Sequence, residues 1–142
     1  MHTFLGVERI KDPLLLLSRL LMMLLFVIFG WQKLVGYGAT MTEFARQGVP
    51  LPAIATPIAV IMELGVGVAI ALGLFTRPLA VLLGLYTLAS GIIGHPFWTL
   101  SGSGQVDAEI NFFKNVSITA GLFVLYITGA GRYSLDSKLG LD

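Results

Sequence analysis

Apolar positions along this 142-residue chain gather into four long runs, at about 13–34, 54–75, 79–98 and 111–128, with shorter polar stretches between them. At roughly 1.5 Å of rise per residue, a helix of about 20 residues crosses the ~30 Å hydrocarbon core of a bilayer. The pattern therefore predicts an all-α chain, an integral membrane four-helix bundle forming one domain over residues 1–142. The run beginning at Leu14 continues to about Phe29. That exceeds the ~7–15 residues of a signal-peptide core, and no clear A-x-A site follows, so a retained first helix is expected.

The second run is the most informative. From Ile58 to Phe75 it reads IAVIMELGVGVAIALGLF, apolar and small almost throughout, with Glu63 near its middle. An acid inside such a helix is costly in lipid and must face protein or water. Taking every fourth residue gives Ala55, Ala59, Glu63, Gly67 and Ala71, and a second row holds Gly65, Ala69 and Gly73. Small residues in rows let helix backbones approach closely, so this helix is expected to touch neighbours on two sides.

The other segments carry ordinary boundary signals. Asp12 and Pro13 suit the N-cap and first turn of helix one, and Trp31 and Lys33 suit an interfacial ring and a snorkelling charge at its end. The connection 35–53 is rich in Gly and Pro, with a short helix over Met41–Gln47 stopped by Gly48. That helix would lie on the membrane surface or fold over the mouth of the bundle. Thr76-Arg77-Pro78 reads as a tight turn, and 99–110 as a polar Gly/Ser loop carrying solvated Asp107 and Glu109. Trp98 and Phe97 read as interface anchors. Beyond Gly129-Ala130-Gly131 the tail is polar.

Four spans place both termini on one side. That side holds Arg9, Lys11, Arg77, Arg132 and Lys138, and the other holds Lys33, Arg46 and Lys114. The excess predicts termini in the cytoplasm.

Composition narrows the chemistry. Hydrophobic residues make up 56% of the chain and charged residues 12%, about half the usual charged share of ~25% for soluble domains. The bilayer is the solvent this composition implies. A formal net charge of +1 carries no nucleic-acid footprint. Without Cys there is no disulfide, thiolate or Cys-ligated iron–sulfur chemistry. With only His2 and His95, neither a bis-histidine haem nor a hydrolase-type zinc site is expected.

Helical rise places Glu63, His95 and Asn115 at about 21, 25 and 24 Å from the terminus side, nearly one level on three helices. Gln32 and Lys114 fall close to that level. This layer of Gln32, Glu63, His95, Lys114 and Asn115 is the candidate polar intramembrane site, with Glu63 and His95 the candidates for proton transfer. Arg19 also belongs to the candidate set, but it lies about 12 Å from Glu63 along the axis. Tyr86 and Tyr126 are nearer its depth and are its expected partners. The plainer reading stands beside the functional one: intramembrane charges often pair only to set helix register, at even odds for Arg19, and Lys114 reads as snorkelling.

A set of short motifs runs through this frame. Helix one holds Arg19-Leu20, Phe26, Gly30 and Lys33-Leu34, and helix two holds Glu63, Gly67 and Leu72-Gly73-Leu74-Phe75-Thr76-Arg77. His95-Pro96-Phe97-Trp98, Phe113-Lys114-Asn115 and Gly131-Arg132-Tyr133-Ser134-Leu135-Asp136 follow. In this order and spacing, from Leu14 to Asp136, the chain resembles the DoxX family of small bacterial and archaeal membrane proteins. The resemblance implies a multi-pass protein of the bacterial inner (plasma) membrane. It implies first a non-catalytic membrane subunit or adaptor of a redox or stress-response assembly, with membrane or peripheral redox-protein partners or further copies of itself. The alternative is a quinone-binding subunit of a thiosulfate:quinone type oxidoreductase, quinone being the one cofactor suggested. A small transporter or ion pathway ranks third.

Overall fold

The computed structural model describes residues 6–141; His2 lies outside them. The described residues form six α-helices: α1 (Val7–Val35), α2 (Tyr37–Arg46), α3 (Pro52–Leu72), α4 (Thr76–Gly94), α5 (Ser103–Thr128) and α6 (Leu135–Leu139). No strand occurs among the described residues. Four of the helices, α1, α3, α4 with the turn that follows it, and α5, are long and apolar enough to cross a membrane.

The exterior of the bundle is apolar. On α1, Leu14, Leu17, Leu21, Leu24 and Ile28 form an exposed stripe at alternating spacings of three and four. Arg19, Met23, Phe26 and Gly30 are buried on the opposite side. A helix with leucines outward and its arginine inward has lipid as its outer solvent.

Element boundaries differ from the sequence-based expectation in four places. Helix α1 starts at Val7, so Asp12 is not its N-cap and Pro13 lies inside it. The carbonyl that Pro13 leaves without its N–H, that of Arg9, belongs to an exposed turn. Asp12 Oδ1 instead accepts from the Arg132 backbone N–H at 3.1 Å, which places both chain ends at one end of the bundle. Helix α3 stops at Leu72, because Gly73 adopts a left-handed φ of 73°. Thr76-Arg77-Pro78 is the first turn of α4 rather than a free turn, and α4 ends at Gly94, ahead of His95-Pro96. Phe97–Thr99 is a separate 3₁₀ turn. Helix α5 begins eight residues before expectation, at Ser103 rather than Asn111. The segment 103–110 is polar because it is a solvated extension of the helix; Ala108 is its one buried residue, and Asp107 and Glu109 are exposed as expected.

The spans associate as two pairs. Helix α5 packs along α4, and α1 packs along α3; the contact between α3 and α4 is slighter. Met23, Phe26, Met62, Val66, Ile70, Ala80, Leu83, Leu122 and Leu125 join the pairs in one core. Toward the other end the pairs diverge, and α2 crosses the opening.

Candidate functional site

Helix α3 is interrupted where its acid sits. Ile61–Val66 is wound as a π-helix, and Glu63 lies within it. An extra residue in one turn is costly and recurs at functional sites. Opposite this turn is Gly30 of α1. A Cβ at Gly30 would lie 2.5 Å from the Leu64 nitrogen and 2.9 Å from the Glu63 carbonyl carbon. Only glycine admits so close a backbone approach. One turn beyond Gly30, Lys33 Nζ reaches Glu63 Oε2 at 2.8 Å, with 22% and 14% of the two side chains exposed. The ammonium approaches off the axis of a good hydrogen bond, and Glu63 Oε2 has no well-aligned donor among the described residues. The same Lys33 nitrogen lies 5.8 Å from the centre of the Phe29 ring.

This ion pair lines a cavity of about 810 Å³ between the two helix pairs. Tyr86, Thr87, Ser90, His95 and Asn115 supply polar groups to its wall, while Phe26, Phe29, Ile58 and Ile118 supply an apolar one. Asn115 Nδ2 donates to the Thr87 carbonyl at 3.0 Å and to Ser90 Oγ at 3.2 Å, against Gly91 of α4. Helix α2 roofs the cavity with Thr40, Glu43 and Phe44, and Gln47 follows at its end. The short helix expected in the connection therefore folds over the bundle mouth. Its Glu43 accepts from Arg46 Nε at 2.8 Å and Nη2 at 2.5 Å, and from Gln47 Nε2 at 2.7 Å. These donors, Arg46 first, hold the Glu43 carboxyl down to a pKa of about 2.

Glu63, His95 and Asn115 thus meet on one cavity, as their depth suggests. Gln32 and Lys114 are exposed and do not line it. Arg19 does not line it either. It is 2% exposed and donates to the carbonyls of Ala71 at 3.2 Å, Tyr133 at 2.7 Å and Ala130. Its expected partners lie elsewhere: Tyr86 lines the cavity with Glu63, and Tyr126 turns its carbonyl to Arg77. Asp136, which closes the Gly131–Asp136 motif but was not among the candidate site residues, is buried and accepts from the N–H groups of Phe75 at 2.6 Å and Thr76 at 2.8 Å, capping α4. Arg19 and Asp136 tie the closing segment to the turn between α3 and α4.

Lys33 was the residue of the site that a reading by position alone assigns to the interface. The signal for it was distance: helical rise puts it about 9 Å from the level of Glu63, within the joint reach of a lysine and a glutamate.

The DoxX family model matches residues 14–96, from the lipid-facing stripe of α1 to His95-Pro96. The chain belongs to the DoxX family. It is 46% identical to inner membrane protein YphA of Escherichia coli K12 over 90% of this chain and 91% of that protein. It is 33% identical to inner membrane protein YqjF of the same organism over 93% and 96%. A weaker likeness, 24%, joins 92% of the chain to 35% of the ER-derived vesicles protein ERV29 of Saccharomyces cerevisiae. No solved structure matches. With four apolar spans and these relatives, this DoxX protein is an integral, multi-pass inner-membrane protein.

Proposed function

We propose that this DoxX protein is a membrane subunit of a redox assembly and that its cavity receives the head group of a quinone. The observation that carries the reading is the Lys33–Glu63 pair set into a mostly apolar cavity. A pocket with an apolar wall and a few convergent polar groups suits a lipophilic ligand with a polar head. Lys33 offers N–H donors to a carbonyl oxygen, and Glu63 and His95 offer proton acceptors to a hydroxyl. The chain has no Cys and a single histidine in the bundle, so electrons come from or go to a partner protein, and this subunit supplies binding and orientation. Transport is less well supported, since a continuous path would have to cross the apolar core below the cavity.

Native mass spectrometry of the protein, gently released from its own membrane, tests the reading. Wild type is expected to carry a quinone-mass adduct, and the Lys33→Met and His95→Ala variants to lose most of it while remaining folded. A co-purifying protein with no quinone would leave the adaptor role and remove the ligand. Full quinone retention in both variants would place the quinone elsewhere.

A further inference from the structure

The four spans change character at one level. Measured toward the chain termini, the residues lining the cavity stop at Leu25 on α1, Glu63 on α3, Tyr86 on α4 and Ile118 on α5. Within the next turn α1, α4 and α5 bring a sealed apolar residue, Met23, Leu83 and Leu122, each 0% exposed; on α3 Val66 follows at 9% and Ile70, about two turns on, at 0%. Ala80, also 0% exposed, packs in the same layer. Below it Arg19 spends its donors on three carbonyls, and Asp136 both its oxygens on the start of α4. The terminus end is closed by this apolar layer; a separate cavity of about 150 Å³ beside Phe75, Arg77 and Asp136, and Thr76 Oγ1, unpaired among the described residues, lie beyond it.

The opposite end is built differently. Helix α2 has no buried residue and presents Thr40, Glu43 and Phe44 to the cavity, with Gln47 just past its end. It follows Gly36 and is followed by Gly48, whose φ is 77°. No hydrogen bond runs from an α2 side chain to a membrane-spanning helix among the described residues; Thr40 Oγ1 donates only to the carbonyl of Gly36, between α1 and α2. A cover this lightly held stands at the low-stability end of a fold.

We infer that the cavity is single-ended along the bundle axis: water and protons reach Lys33 and Glu63 past α2, from the face opposite the chain termini, and not through the terminus end. Protons taken up or released at the pair exchange with that face alone. The inference rests on the cavity's walls and holds whatever ligand occupies it.

The absence of Cys makes the test direct. Ala59 lines the cavity and is 2% exposed. Ala59→Cys would be labelled with a charged, membrane-impermeant maleimide in oriented vesicles of either sidedness. Ser101→Cys and Lys138→Cys, at exposed positions on the two faces, report the orientation. Ala55→Cys, also in the cavity wall, serves if the first variant fails to fold. The cavity thiol is expected to react from the Ser101 face faster than from the Lys138 face by more than about tenfold, because a charged reagent meets a high barrier in the apolar layer. Reaction from the Lys138 face, equal reaction from both, or none with the charged reagent despite reaction with a neutral permeant maleimide would each overturn the inference. Quinone retention measured on the same samples separates the two ideas, since a single-ended cavity without quinone keeps this one and loses the other.

Discussion

Lys33 and Glu63 face each other inside a mostly apolar wall. Removing one partner of a buried pair costs about 3–5 kcal/mol, whereas removing both often costs little. With 22% of the Lys33 side chain exposed, Lys33→Met is expected to destabilise by a smaller amount, on the order of 2 kcal/mol. Adding Glu63→Gln to it is expected to restore most of that loss. A double-mutant cycle of thermal stability in detergent reads the difference, and strict additivity would mean that the two charges do not interact. Glu63 was legible in the sequence because an acid in an apolar run has no ordinary explanation. Lys33 was less so, since a lysine at a helix end has a common reason to be there. Arg19 and Glu63 look alike in a hydropathy plot, yet Arg19 ends on three backbone carbonyls, which no side-chain pattern encodes.

At the scale of elements, two helix ends carry the tests. Asp136 caps α4 from 60 residues away, and replacing a good cap costs about 0.5–2 kcal/mol. Asp136→Asn keeps one acceptor oxygen and loses the charge. It is expected to cost about 1 kcal/mol and to speed amide exchange at Phe75 and Thr76, while leaving the proposed quinone retention unchanged. Unchanged exchange there would contradict the capping role. The roof helix has its own pH dependence. Glu43 has a pKa near 2, below the ordinary value of 4.5. Its contribution to α2 is therefore complete above about pH 4.5 and is lost as pH falls from there through 2. Hydrogen exchange of Tyr37–Arg46 should be constant, after correction for intrinsic rates, from neutral pH to about 5, and should quicken only below the ordinary carboxyl range. Quickening between pH 7 and 6 would point to another group. The four runs themselves were plain from the sequence. Their ends were not, because a polar helix extension such as 103–110 and a loop have similar composition, and because the π turn at Glu63 leaves no periodic trace in so uniformly apolar a segment.

At the scale of the molecule, lipid replaces water as the outer solvent, and the interior is where chemistry concentrates. Two helix pairs joined by an apolar core at the terminus end and parted at the other make a cavity without any large connecting domain. The bundle was legible as four spans with termini together; the parting of the pairs was not, since it depends on contacts such as Gly30 against Leu64. The excess of Lys and Arg predicts termini in the cytoplasm; with that orientation the roofed mouth faces the outer side, and the Lys138→Cys marker is expected to react only in inverted vesicles. The central claim is that this cavity holds a quinone head group beside Lys33 and Glu63. Photo-crosslinking with a quinone bearing a diazirine on its ring, followed by peptide mass spectrometry, tests it most directly. Adducts are expected on the cavity walls of α1, α3 and α4, around Phe29, Glu63 and Ser90, and competed away by unmodified quinone. Adducts confined to lipid-facing positions such as Val124 and Ile127, and indifferent to competition, would contradict it.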